Sequence, residues 1–162
     1  MKRGQHFTPP AVADLLVDLV LREADGPVTR VIDPACGQGA LLAAVRRRLP
    51  DARLVGYDID PDAIETARRS LPGAQLDVGD ALVVARGQFD LVIMNPPYVG
   101  EKGNKALFDG VRALGEPWVG RCAPRMDYLY FFLHLGLDLL RPGGAMVALT
   151  TAYWPAATSA RV

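Results

Sequence analysis

The chain is poor in the residues that build several common sites. It has two cysteines, Cys36 and Cys122, among 162 residues. They form no CxxC pair and no disulfide framework. It has two histidines, His6 and His134, and neither sits near a cysteine in sequence. A structural zinc site and a Cys–His catalytic pair are therefore not expected, and no metal is assigned. Net charge is also lacking, with 18 basic and 18 acidic residues. No global field draws this chain onto nucleic acid. No apolar run reaches the roughly 18 residues that span a bilayer. The stretch Met1-Lys2-Arg3-Gly4-Gln5-His6 lacks the apolar core of a signal peptide. A soluble cytoplasmic domain without membrane contact is expected. What is present is ordinary globular composition, 50% hydrophobic and 22% charged, at a length suited to one domain.

Periodicity then organises the chain. Val12, Leu15, Leu16, Leu19 and Val20 recur at helical spacing after Thr8-Pro9-Pro10, which predicts a helix over about 8–25 with Thr8 as its cap. Short apolar runs predict strands at 28–33, 54–58, 75–78, 89–95 and 145–150. Helical patterns fall between them at 40–49, 61–71 and 129–140. Asp60-Pro61 opens the second of these, and Arg141-Pro142-Gly143-Gly144 closes the third. Tyr130, Phe131 and Leu135 broaden the apolar face of that last helix, so it should be heavily buried. Strands alternating with helices argue for an α/β, doubly wound, mostly parallel sheet covered on both faces. The exception is 99–125, which is glycine- and proline-rich, has mixed charge, and carries a weak helical pattern near Leu107–Leu114. It reads equally as a solvated, mobile connection or as a substrate-facing loop.

Chemistry concentrates at strand ends. Asp33-Pro34-Ala35-Cys36-Gly37-Gln38-Gly39 lies where the first strand becomes a helix. Its glycines allow a tight turn and close approach of a ligand. Leu42 stands where a dinucleotide fingerprint has its third glycine, which disfavours a dinucleotide. Asp58 ends the second strand, where it can accept from ribose hydroxyls. Asp80 ends the third; it could accept from an exocyclic amine while the Ala81 N–H meets a ring nitrogen. Taken singly, these are plain turns or helix caps. Their order, each at the C-terminal end of a strand, specifies an adenosine-type ligand.

Asn95-Pro96-Pro97-Tyr98 follows the most apolar strand. Two prolines fix a rigid extended backbone. Asn95 offers an amide oxygen, the Pro96 carbonyl a second acceptor, and Tyr98 an aromatic face. An amino group conjugated to a ring or carbonyl is a poor nucleophile because its lone pair is delocalised. Two acceptors on its hydrogens draw it toward tetrahedral geometry, and placement opposite a sulfonium methyl then permits in-line transfer. A base in duplex DNA must first be flipped out, costing a few kcal/mol, and stacking on Tyr98 can return about 1–3 kcal/mol.

On these motifs the chain resembles the class I S-adenosylmethionine-dependent methyltransferases. More narrowly, it is similar to the gamma-class DNA adenine-N6 methyltransferases of restriction–modification systems. The resemblance implies that Asp33, Ala35, Cys36, Gly37 and Gly39 form the cofactor loop. Tyr57-Asp58-Ile59-Asp60 matches the ribose motif and Gly79-Asp80-Ala81 the adenine motif. Gly4-Gln5-His6-Phe7-Thr8-Pro9-Pro10 resembles the N-terminal motif, so Thr8 and Pro9 would touch the methionine end. Tyr128-Leu129-Tyr130 would place Tyr130 near the cofactor's adenine. Asn95, Pro96, Pro97 and Tyr98 would form the catalytic motif, acting on a flipped adenine in DNA. One catalytic domain, 1–162, is implied, with a cofactor half at 28–88 and a catalytic half at 89–162. The family's sheet has seven strands and five are expected here, so the sheet should be incomplete at its C-terminal edge. A target-recognition domain is not expected within these residues, and the resemblance implies that further chain or a second chain supplies it. Tyr153 and Trp154 are expected mainly in core packing. Protein-glutamine N5-methyltransferases and some ribosomal RNA base methyltransferases share Asn-Pro-Pro-Tyr and remain alternatives, as does a cofactor-binding module without independent activity.

Overall fold

The computed structural model describes residues 8–123 and 125–150. Tyr153, Trp154 and the Gly4–Phe7 part of the N-terminal motif lie outside them. Five strands form one sheet in the order β3-β2-β1-β4-β5, and every pairing is parallel. They are β1 (Arg30–Asp33), β2 (Arg53–Asp58), β3 (Gln75–Val78), β4 (Phe89–Met94) and β5 (Leu140–Ala148). All six residues of β4 are buried, as an apolar strand covered on both faces must be.

One face is packed by α1 (Pro10–Glu23), α2 (Ala40–Arg48) and α3 (Pro61–Ser70). Their core includes Val17, Leu42, Leu54, Ile64 and Leu91. The other face is packed by α4 (Ala81–Val84), α5 (Lys105–Arg112) and α6 (Leu129–Leu139), around Phe108, Trp118, Tyr128, Phe131 and Met94. α6 lies close to the sheet because Gly136 has no side chain: a Cβ there would come within 2.5 Å of the Met146 sulfur. As expected, α6 is buried along most of its length. Asp60 caps α3, accepting from the Asp62 N–H at 3.1 Å.

Several local expectations are corrected. α1 starts at Pro10 with Pro9 at its N-cap and no side-chain cap, because proline carries no side-chain acceptor; the Thr8 hydroxyl accepts from Asn95 instead. Arg141-Pro142-Gly143-Gly144 is not a turn outside the sheet; it lies within β5. The register jumps from Phe89↔Leu140 to Leu91↔Ala145, so two steps of β4 face five of β5. A proline and a glycine at φ 77° cannot hold a regular ladder, and an edge strand tolerates the resulting bulge. The short α4 was not anticipated, since one helical turn carries no periodic signal.

The 99–125 segment is pinned. Gly100 bridges Asp127 in antiparallel fashion, the Tyr128 N–H donates to Val99 O at 2.8 Å, and the Val99 N–H donates to the Asp127 carboxylate at 3.1 Å. Phe108 is fully buried, with ring centroids 5.7 Å from Tyr128 and 5.8 Å from Phe131, and Trp118 stands edge-on to Phe131 at 6.1 Å. Each such aromatic contributes roughly 1.5–3 kcal/mol by burial, far more than a solvated connection could supply. Of the two sequence readings, this packing argues against the solvated, mobile connection.

Candidate active site

β1 lies between β2 and β4, so the chain leaves neighbouring strands toward opposite faces, and a crevice opens beyond their C-terminal ends. Two adjoining cavities occupy it. The larger, about 430 Å³, is lined by Ala35, Gly37, Asp58, Ile59, Asp80, Ala81, Asn95, Pro97, Val99, Leu107, Tyr128 and Phe132, among others. The smaller, about 180 Å³, is lined by Thr8, Asp33, Cys36, Ala40 and Leu41, and shares Ala35, Gly37, Gln38 and Asn95 with the first. The larger alone is of the size that holds a small-molecule cofactor.

The two loop glycines have different tasks. Gly39 (φ 84°) packs against α3, where a Cβ would meet the Leu71 side chain at 2.8 Å. Gly37 (φ 52°) has nothing within 4 Å of where its Cβ would be. It lines both cavities, so a side chain there would fill space meant for a ligand. Asp58 holds this loop to the end of β2. Its carboxylate accepts from the Gly37 N–H at 2.8 Å and from the Asp60 N–H at 2.9 Å. A carboxylate offers about four acceptor positions, so both local bonds are compatible with ligand hydroxyls. Asp80 caps α4 by accepting from the Leu82 N–H at 3.0 Å, and burial raises its carboxyl above the usual range. The cap and the cavity wall are thus one residue.

Asp33 is 1% exposed. Burial pushes its carboxyl up to about 8 despite the hydrogen bond from the Ala35 N–H, and the Asp58 charge adds to the rise. A carboxyl in the smaller cavity is thus poised to ionise when a cation arrives. Burial likewise pushes the Cys36 thiol up, which makes it a packing residue and not a nucleophile. Among the described residues, no cluster of three or more His, Cys, Asp or Glu could hold a metal ion.

Asn95 stands immediately after β4 on the wall common to both cavities. Its Nδ2 donates to Thr8 Oγ1 at 3.1 Å, and its Oδ1 accepts from the Tyr98 hydroxyl at 2.9 Å. That hydroxyl also contacts the carbonyl oxygen of Leu149. Pro97 lines the larger cavity and Pro96 is buried beneath it.

The structure thus brings Thr8, Asp33, Ala35, Cys36, Gly37, Asp58, Ile59, Asp80, Ala81, Asn95 and Pro97 to one crevice. Pro9 is exposed and Gly39 packs behind the loop; neither is on the cavity wall. Tyr130, in α6, is 2% exposed within the core and lines neither cavity, whereas Tyr128 and Phe132 line the larger one. Helix geometry explains this, because residues four apart share a face and the residue midway between them points away. That spacing was the available signal. Leu107 is a further wall residue that the weak 107–114 pattern concealed. Tyr98 is half-buried against the core and is also not on the cavity wall.

Comparison with known proteins shows which family the chain resembles. The model of the methyltransferase small domain matches residues 11–110, and that of the Eco57I restriction-modification methylase matches residues 75–161. A release factor glutamine methyltransferase of Corynebacterium glutamicum is 31% identical over 161 residues, covering 86% of this chain and 53% of the relative. The type II methyltransferase M.TthHB8I of Thermus thermophilus is 32% identical over 157 residues, covering 93% of this chain and 35% of the relative. A type I restriction-modification methyltransferase subunit of Streptococcus thermophilus superposes with a TM-score of 0.65 at 25% identity, covering 91% of this chain and 35% of that one. The chain therefore spans about half the length of the first of these relatives and about a third of the other two.

Proposed function

The chain belongs to the class I S-adenosylmethionine-dependent methyltransferases, and we propose that it methylates the N6 amino group of adenine in DNA, as part of a restriction–modification system. The carrying observation is the setting of Asn95, on the wall shared by the two cavities and bonded to Thr8 at 3.1 Å. The cofactor supplies an electrophilic methyl group on a sulfonium sulfur. Asp58 accepts from the ribose hydroxyls. Ile59, which is 74% exposed, and Phe132 offer apolar surfaces to the adenine ring, and Asp80 accepts from its amine. Asp33 and Thr8 line the smaller cavity, which takes the methionine arm, and ionised Asp33 pairs with its ammonium group.

Asn95 Oδ1 and the Pro96 carbonyl accept the two hydrogens of the target amine. Its lone pair would thereby be localised toward the methyl; as the N–C bond formed the S–C bond would break, S-adenosylhomocysteine would leave, and the surplus amine proton, acidic only then, would pass to water. Thr8, just before α1, bonds the carboxamide that handles the amine. The match to the Eco57I methylase model and the similarity to a type II methyltransferase over 93% of the chain support the same reading.

A second reading is methylation of a protein glutamine, whose amide nitrogen has the same delocalised lone pair. The similarity to a release factor glutamine methyltransferase over 86% of the chain favours it. Transfer of labelled methyl from S-adenosylmethionine separates the two. Duplex DNA should become labelled, with N6-methyladenine in its digest, and a glutamine-containing release factor peptide and ribosomal RNA should not. Label in the peptide alone would replace the first reading by the second.

A further inference from the structure

Resting on the reading of Asn95 as the residue that accepts the target amine, we infer that the Tyr98 hydroxyl orients the Asn95 carboxamide, so that Tyr98 serves the reaction as a positioning residue through its oxygen. The two ends of a carboxamide are nearly identical in shape and opposite in chemistry: one accepts and the other only donates. Turned about its last torsion, Asn95 would present N–H to an amine that also presents N–H, and the interaction would become repulsive. The side chain therefore works only if something holds its oxygen in the accepting position.

Two groups bracket it. On one side Nδ2 donates to Thr8 Oγ1 at 3.1 Å. Thr8, whose hydroxyl can donate or accept, fixes the orientation only together with the contact on the other side. On the other side the Tyr98 hydroxyl donates to Oδ1 at 2.9 Å. The same hydroxyl also contacts the Leu149 carbonyl oxygen, a second acceptor for its one hydrogen. Leu149 is itself anchored, its N–H donating to Met94 O at 2.9 Å at the end of β4. The rigid Pro96-Pro97 pair carries the chain from Asn95 to Tyr98 with little conformational freedom. The result is a chain of contacts, Thr8–Asn95–Tyr98–Leu149, joining the segment before α1 to the ends of β4 and β5. Meanwhile the Tyr98 ring packs on the core behind the cavity, so its oxygen is better placed for Asn95 than its face is for a flat substrate.

Ring and oxygen are separated by Tyr98→Phe. Stacking uses the ring, so on that basis Tyr98→Phe would behave as the parent. On the positioning account, kcat for methyl transfer falls by about tenfold to a hundredfold, the range for a misplaced reacting group. KM and the S-adenosylmethionine dissociation constant stay within about threefold. Nuclear magnetic resonance of the Asn95 side-chain amide, in ¹⁵N-labelled protein with Asn95→Ala for assignment, gives a readout independent of turnover. In Tyr98→Phe its two proton signals should shift and exchange faster with solvent. Unshifted amide signals overturn the inference whatever happens to kcat, and so does an unchanged kcat in an active protein. If the parent chain methylates neither DNA nor peptide, the proposed activity fails on its own, and the amide signals alone decide whether Tyr98 orients Asn95.

Discussion

A carboxyl group buried at a strand end is costly until a cation comes to meet it. Asp33 is such a group, raised to about 8 by burial. An unfolded chain holds the same carboxyl near 3.9, so between those values the folded state binds the extra proton. Asp33 therefore costs no stability below about pH 4, and its cost grows as pH rises toward 8. Asp33→Asn keeps the acceptor for the Ala35 N–H and removes the titration. It should stabilise the ligand-free protein by up to about 4 kcal/mol near neutral pH and by almost nothing near pH 4. Urea unfolding of both proteins at the two pH values checks this, and an equal gap at both would remove the assigned cause. A second contrast tests the division of labour. Asn95→Ala should lower methyl transfer about a hundredfold or more while leaving S-adenosylmethionine affinity within about threefold. Asp58→Ala should weaken that affinity by about tenfold to a hundredfold, the worth of a charged hydrogen bond. Calorimetry and labelled-methyl transfer read the two effects, and unaltered affinity in Asp58→Ala would displace the cofactor from β2.

At the scale of elements, one side chain ties three strands together at the end of the sheet opposite the site. Asp90, in β4, accepts from the Thr29 N–H and the Arg30 N–H, both at 2.8 Å, from the Thr29 hydroxyl at 2.9 Å, and from the Arg141 guanidinium. It thus joins the start of β1 to β4 and to the bulged start of β5. Burial opposes its charge, but the Arg141 guanidinium and the Thr29 and Arg30 bonds outweigh that and hold the carboxyl far below its usual range. Asp90→Asn should cost about 2–3 kcal/mol at neutral pH. Because the folded value is depressed, this stabilisation is present above about pH 4 and drains away as pH falls below it. Melting curves across that range should show the two proteins converging in acid. The 99–125 segment gives the contrasting lesson. Its anchors, Phe108 and Trp118, are isolated in sequence, and only the partners they find on α6 reveal a wall. The Pro142-Gly143-Gly144 run likewise has turn chemistry, yet its neighbour β4 draws it into the sheet as a bulge.

For the molecule as a whole, the described sheet ends in two open edges, β3 and β5, with the crevice between them over β1 and β4. A ligand bound there touches loops from five elements, so binding should stabilise the entire fold. S-adenosylmethionine at about a hundred times its dissociation constant should add about 2.7 kcal/mol, which raises the melting temperature by about 5–10 °C for a chain of this size. Asp58→Ala should lose most of that rise at the same concentration. A melting temperature unmoved by the cofactor would mean that the crevice does not bind it.

The amino-acid order by itself determined what depends on neighbours along the chain. Alternating periods of apolar residues specified a parallel α/β sheet. Glycine and carboxylate at successive strand ends pointed to the crevice, and an asparagine followed by two prolines pointed to a residue on its wall. All of these are local properties, because period, turn and cap are decided within a few residues. Only the tertiary structure decided which side chains meet. Thr8 reaches Asn95 across 87 positions and Tyr98 reaches Leu149 across 51; Tyr128 and Phe132, and not Tyr130, face the cavity. Those pairings depend on the order of strands and on the angle at which each helix lands on the sheet, and no interval along the sequence encodes a distance in space.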